Sequence, residues 1–588
     1  MDRNSAIGLT LIAILLLVYF NFFAVQPSPP APPATVKTDT TTRALPVTGA
    51  LTDSVSLSSS PANGPEEITE IENADLKISF SNRGYIRQLE LKKFKSYTQS
   101  PLLLVAPANN RFALRHATTG DLYQVPYQAS QSRVADTVLL TYTGSVNGIT
   151  VRHVYEIPPS GYEVHYRLHT SGGLMGDFLT LEWNDEIPLQ EKDMTDSRNK
   201  TSINYYTVAD GFDGLSDTSD DSETLSDPLK WVTIKQKFFL SSIITDGQFT
   251  GGEFTTSTNP TSTTTVKTAN VRLFIPTREV NDKGVHFRYY FGPNDYKITG
   301  DVTEGFSRNL YLGIPPMIWV NKFVIIPIFK FLETFIGNYG LIIVILVLIV
   351  KLILAPLSYK SYLGMAKMRL LKPELDLIKE KYGDNMAQIQ QEQLKLYQQA
   401  GVNPFSGCIP VLLQMPILIA MFYFFPISIE LRQEPFLWAE DLSTYDSIIN
   451  LPFSIPFYGS HVSLFTILMT ASTLMYTWQN NQISSVTGPM KSLSYIMPVA
   501  FMFILNSFAA GLSFYYFVSN LVTFAQQAII KRFVDEDKIK KVMDEHKKKM
   551  SEGGPTKKSK FMTKLEEAMK ASQEARKASE ETKKKKGK

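Results

Sequence analysis

Hydrophobic and polar positions follow three successive rhythms along this chain. From about Ser5 to Val25 nearly every residue is apolar. That run of roughly 20 residues is the length an α-helix rising about 1.5 Å per residue needs to cross a hydrocarbon core. It has no clean A-x-A site and no cysteine just behind it, which favours a retained anchor over a cleaved leader or a lipoprotein signal. From about Ile71 to Gly300 the pattern becomes short alternating runs, such as DLKISFSNRGYIRQLEL, ITVRHVYEI and YEVHYRLHT, separated by Gly, Asn, Asp and Pro. Period two carried by β-branched and aromatic residues predicts a large antiparallel all-β domain, a sandwich of two packed sheets. After Tyr311 the alternation ends and long apolar blocks take over.

The first of these blocks, GIPPMIWVNKFVIIPIFKFLETFIG, is interrupted by Asn321, Lys322, Lys330 and Glu333, the last three near one helical face. It predicts an amphipathic helix lying in the membrane interface. The next block, from about Ile336 to Pro356, reads as a span, and others follow at about Ile409–Ile429, Val462–Gln479, Leu493–Phe508 and Leu512–Ile530. With the N-terminal run this makes a polytopic α-helical bundle of about six spans. Charge orders them. The segment between the second and third spans carries Lys360, Lys367, Arg369, Lys372, Lys379, Lys381 and Lys395, whereas Glu430 to Ser460 carries only Arg432. Retention of Lys and Arg in the cytoplasm then puts both termini inside and the β domain outside, and counting the interfacial helix as a span would export the Lys-rich tail.

The predicted organisation is an anchor at 1–25, a Pro/Ser/Thr-rich linker at 26–70, the β sandwich at 71–310, the interfacial helix at 311–335, a five-helix core at 336–530 and a basic cytoplasmic tail at 531–588. A helical hairpin at 361–401 projects from the core into the cytosol. Leu370, Leu371 and Leu375 give it an apolar stripe, Gly383 a stop, and Asp384 or Asn385 a cap.

Composition narrows the chemistry. A net charge of +3 over 588 residues makes no case for a nucleic-acid-binding globule, and a single cysteine, Cys408, excludes an intrachain disulfide. The sequence has no HExxH, CxxC, nucleotide loop or apparent catalytic triad, so no cofactor, metal or enzymatic reaction is expected. The Asp-rich stretch Asp210 to Glu223 misses the EF-hand spacing and reads as a solvated loop.

Lys351 is the conspicuous residue, lying late in the second span between Val350 and Leu352. It stands roughly 7 to 8 Å from the boundary near Pro356, where a lipid-facing lysine would snorkel to water. Facing a water-filled cavity it would mark a pathway or binding site, and lipid-facing placement costs about 2.5 to 3.5 kcal/mol. The later spans hold many neutral polar groups, among them Gln414, Thr466, Asn506, Ser519, Asn520, Thr523 and Gln526. Each serves most simply as interhelical glue, and together they permit a polar interior. The Met- and aromatic-rich stretches LLQMPILIAMFYFF and MPVAFMFIL suit either varied apolar partners or ordinary helix packing.

Four ordered stretches carry a family resemblance: MAKMRLLKPELDLIKEKYGDN (Met365 to Asn385), GVNPFSGCIPVLLQMPI (Gly401 to Ile417), ELRQEPFLWAEDLS (Glu430 to Ser443) and GLSFYYFVSNLVTFAQQ (Gly511 to Gln527). They resemble the YidC-type membrane protein insertases of the Oxa/Alb superfamily over about Gly337 to Ile530. The anchor and exported β domain are similar to the Gram-negative form. The resemblance implies an inner-membrane insertase and chaperone for nascent membrane proteins, acting alone or with the Sec translocon through a hydrophilic groove open to cytoplasm and lipid. It implies that Lys351 is the groove charge, where the family usually has arginine; lysine keeps the charge but loses the planar fork. It implies substrate contacts at Met415, Pro416 and Ile417 in the third span, Phe503 and Ile504 in the fifth, and Tyr515 and Tyr516 in the sixth. Gln414, Asn520 and Thr523 are candidate polar groups of the groove. The turn SFAAGL departs from the aromatic-Pro-Ser-Gly usual in the family. Ribosomes are a candidate partner for the Lys-rich tail and cytoplasmic loops, with anionic lipid competing. Two other classes stand beside this reading. A small secondary transporter using Lys351 as an anion site predicts paired repeats with broken helices, which the sequence lacks, and an envelope scaffold leaves the motif-dense core unexplained.

Overall fold

The computed structural model describes residues 65–171, 173–383, 385–403, 409–483 and 489–551. The predicted N-terminal span, most of the linker, Asp384 and the last Lys-rich part of the tail lie outside the described residues. The chain divides into two compact units, the first made of Met1–Gly340, Ala420–Leu464 and Asn506–Leu512, the second of Leu341–Ile419, Phe465–Leu505 and Ser513–Lys588.

The first unit holds the β domain, whose strands begin at Ile68–Glu72 and end at Val285–Pro293. Alternation decides which side chains go inward. In Phe178–Pro188, residues Leu179, Leu181, Trp183 and Ile187 are buried while their neighbours are not. This strand runs antiparallel between Asn110–His116 and Thr265–Pro276 in a six-stranded sheet. A nine-stranded sheet is centred on Phe239–Phe249, Val285–Pro293, Glu163–Ser171 and Ile149–Ile157, paired in that order. The expected two sheets are joined by a separate four-stranded meander spanning Ile68 to Val105. All three contribute to one core, which includes Phe80, Tyr155, Trp183, Leu273 and Phe291. A period-two pattern identifies strands but not which strands pair, and this is why the third sheet was invisible in it.

Two further departures follow from the β domain. The Asp-rich stretch is a loop only over residues 215–220: edge strands at Gly211–Gly214 and Asp221–Leu225 flank it. Asp217 accepts from Lys235 Nζ at 2.7 Å, and Asp221 from the backbone of Ser216. Alternation also carries Asp185 into the core with 1% exposure, and among the described residues neither carboxylate oxygen has a hydrogen-bond partner. Burial pushes its carboxyl up to about 8, offset only in part by the neighbouring Asn110 amide.

The segment Glu430 to Ser443 docks onto this domain through buried charge. Arg432 Nε donates to Glu191 Oε1 at 2.8 Å, with the two side chains 3% and 10% exposed. Its guanidinium also donates to the Lys95 carbonyl and stacks 5.0 Å from the ring centre of Phe239. Beside it, buried Lys237 bonds Asp196 at 2.8 Å and the Ser443 carbonyl at 3.2 Å. Burial works to raise the Asp196 carboxyl, but Lys200 and Lys237 hold it below the usual range.

The block expected in the interface is one continuous helix over Pro315–Glu333, in which α1 Pro315–Val320 and α2 Ile326–Glu333 flank a π-helical turn at Asn321–Ile325. The widened turn lets fully buried Asn321 donate to the carbonyls of Leu312 and Ala420. The polar side of the helix faces the β domain: Lys330 bonds Asp295 at 3.0 Å and Glu430 at 2.6 Å, and Lys322 sits over the Tyr296 ring. Trp319, Phe323, Phe331 and Phe335 are exposed.

In the second unit, α3 Tyr339–Ile353 meets α4 Ala355–Leu370 at a bend of 64°. Pro356 in the first turn of α4 removes a backbone donor and so sets the break. α5 Lys372–Tyr382 and α6 Met386–Gln399 form the hairpin, turned at Gly383 with φ of +52° and capped by Asn385, which accepts from the Gln388 backbone. Three more apolar helices follow: α7 Ile409–Phe424, α8 Leu464–Ile483 and α9 Pro489–Leu505. After them come α10 Ala510–Phe533 and α11 Glu536–Ser551. Among the described residues, Pro315–Glu333 and the bent pair α3–α4 have the length and apolarity of a crossing, and the shorter apolar helical stretches Gln414–Ile427 and Ser492–Leu505 overlap α7 and α9.

The first part of the basic tail is folded. Ile539 and Met543 of α11 are buried with Leu371, Leu375, Leu396 and Tyr397 of the hairpin. Glu536 accepts from Arg369 at 3.1 Å, and Lys547 bonds Glu374 at 2.5 Å. The abundant lysines of this helix conceal an apolar edge four residues apart.

Candidate functional site

Lys351 is the third residue from the end of α3, and its side chain is 7% exposed. Its ammonium is held between two other helices. Nζ donates to Gln414 Oε1 of α7 at 2.9 Å and to Thr523 Oγ1 of α10 at 2.8 Å. Both partners are neutral. The acceptors are themselves oriented: Gln414 Nε2 donates to Ser519 Oγ at 3.1 Å, and Thr523 Oγ1 to the Ser519 carbonyl at 2.7 Å. Gln526 Nε2 approaches the Lys351 carbonyl at 3.5 Å. A second polar contact lies on the same helix, where Asn520 Nδ2 donates to Ser472 and Thr473 of α8.

This arrangement holds the lysine amine within an apolar helix by dipoles, and among the described residues no Asp or Glu pairs with it. A buried ammonium lacking a carboxylate partner attracts an anionic or strongly polar group that can displace its neutral acceptors. The helical repeat explains the convergence, since Ser519, Thr523 and Gln526 fall on one face of α10 at spacings of four and three.

Of the expected polar groups, Gln414 and Thr523 therefore meet Lys351, while Asn520 faces α8. Ser519 and Gln526 belong to the cluster although nothing singled them out among the polar residues of the last span. The expected apolar contacts divide. Met415 is 43% and Phe503 38% exposed, with Pro416, Ile417 and Ile504 half-buried. Tyr516 is half-buried, and Tyr515 is 1% exposed with its ring edge-on to that of Tyr516.

Comparison with known proteins agrees with this architecture. The family model described as "YidC periplasmic domain" matches residues 68–329, and that described as "60Kd inner membrane protein" matches 331–538. Together they define an inner-membrane protein with a periplasmic domain. The chain is 44% identical to the membrane protein insertase YidC of Amoebophilus asiaticus, over 93% of this chain and 96% of that protein. It is 43% identical to that of Cytophaga hutchinsonii, over 96% and 97%. A solved active YidC insertase with its first transmembrane domain resolved is 18% identical, with a TM-score of 0.33, over 88% of this chain and 97% of that one. The chain belongs to the YidC family of membrane protein insertases.

Proposed function

We propose that this protein inserts newly made membrane proteins into the inner membrane, with Lys351 as the charge that receives the polar or acidic part of the incoming segment. The observation that carries the reading is the buried ammonium held by the neutral oxygens of Gln414 and Thr523. Its energy comes from the substrate, whose apolar side chains gain about 25 cal/mol for each Å² moved from water into lipid. Met415, Ile417, Phe503 and Ile504 offer the apolar slide beside it. Six spans with both termini cytoplasmic, and an interfacial α1–α2, are the topology that fits the charge distribution. The Sec translocon and, through the hairpin and α11, the ribosome are its partners in this reading.

The test is depletion of the native protein and complementation, with insertion of small two-span substrates as the readout. Lys351→Arg supports insertion, Lys351→Glu impairs it, and Lys351→Gln separates charge from hydrogen bonding by retaining donors alone. Full insertion with the Glu variant would refute an electrostatic role. Photocrosslinkers at Met415 and Ile504 capture a stalled nascent chain, whereas one at Tyr515 does not; equal capture at all three would remove the proposed slide.

A further inference from the structure

The segment between α7 and α8 contains a two-stranded hairpin, Ile449–Ile455 paired with Gly459–Val462. It exposes large apolar side chains rather than burying them: Ile448 is 43% exposed, Ile449 54%, Phe453 60% and Phe457 76%. An apolar hairpin with open edges is a liability in water, and soluble proteins blunt such edges with charge. This one carries none. From Ser447 to Met490 there is no Asp, Glu, Lys or Arg, so the uncharged stretch runs without interruption through the hairpin and all of α8.

The hairpin is also firmly mounted. Asn506, fully buried at the turn between α9 and α10, donates to the carbonyls of Tyr458 and His461 and accepts from the Ser463 backbone. His461 returns a bond to the Asn506 carbonyl at 2.8 Å and stacks on Tyr445. The apolar tip is thus presented by a rigid base, with Phe457 held at a φ of +65°, a conformation costly for a bulky residue.

We infer that this hairpin is a membrane-dipping element whose occupant is the headgroup–acyl boundary of the periplasmic leaflet. Chain continuity places it there: its second strand ends at Val462 and α8 begins at Leu464, so a span starts within two residues of the hairpin. Phenylalanine and isoleucine without charge match that boundary better than they match water or a polar protein surface. The inference rests on reading α8 as a span. Its effect is to fix the periplasmic end of α8, and through Asn506 that of α9 and α10, at constant depth.

The experiment uses the full chain with Cys408→Ser, reconstituted into phosphatidylethanolamine–phosphatidylglycerol vesicles. Phe453→Cys, Phe457→Cys, Met475→Cys in α8 and Val134→Cys on the outer β domain each carry one environment-sensitive fluorophore. Shallow-brominated lipid is expected to quench positions 453 and 457 at least threefold more than 134, with iodide showing the reverse order, while deep-brominated lipid quenches 475. Positions 453 and 457 as open to iodide as 134 would overturn the inference while leaving the span intact if 475 is still quenched. Shielding from iodide without response to brominated lipid would also overturn it, assigning the tip to a protein. No lipid quenching at 475 would overturn the span reading itself.

Discussion

The unpaired carboxyl of Asp185 gives the β domain an unusual pH dependence. An aspartate in the unfolded chain titrates near about 3.9. In the folded domain burial raises this group to about 8. The folded state therefore binds the proton more tightly, and stability is greatest below about pH 4 and falls as pH rises toward 8, above which the loss levels off. Each pH unit in that window costs about 1.4 kcal/mol, so the penalty is about 1.5 kcal/mol at pH 5 and about 5 kcal/mol at pH 8. Asp185→Asn removes the titration, and Asn fits the same volume. Urea unfolding of the full-length protein in detergent, followed by tryptophan fluorescence at pH 5 and pH 8, measures the effect; Trp183, two residues away in the same strand, is a built-in reporter. Between the two conditions the parent should lose about 3 to 4 kcal/mol relative to the variant. Parallel pH dependences for the two proteins would refute an uncompensated buried carboxyl at this position.

Other perturbations probe the remaining contacts. Arg432→Ala leaves Glu191 buried without its partner and should cost about 3 to 5 kcal/mol in the same unfolding assay, much less when combined with Glu191→Leu. Gly340→Val should abolish stable expression, because a Cβ there would collide with the Phe436 ring, and Phe436→Ala should restore part of it. Met543→Asp should detach α11, seen as faster hydrogen exchange in Lys372–Tyr382 and Met386–Gln399, whereas unchanged protection would show that the hairpin holds its own fold.

The sequence and the structure agree where one periodicity dominates and part where a contact joins distant segments. Alternation in FLTLEWNDEIP announces a strand, and Gly383 with Asn385 announces the break in the hairpin, because these are local properties of the backbone. Lys351 stands out for the same reason, as one charge in an apolar run. Its partners do not, since Gln414 and Thr523 differ in no visible way from Asn520, which faces elsewhere. Arg432 looked like a lone charge in an otherwise acidic loop, and only the fold shows it meeting Glu191. The signal that could have found α11 was present: Ile539 and Met543 share a face, though eight charged or histidine neighbours overwhelm it.

The Arg432–Glu191 pair also bears on the order in which the protein is made. The two residues are separated by 241 positions, with the acid emerging first. At about 5 to 20 residues per second, synthesis reaches Arg432 roughly 12 to 48 s after Glu191. Throughout that interval the periplasmic domain lacks the guanidinium that its carboxylate requires, so a fully consolidated domain becomes available only when the segment beyond α7 has been translated. The β domain is therefore completed only after α1 to α7 have been made, although its last strand ends at Pro293.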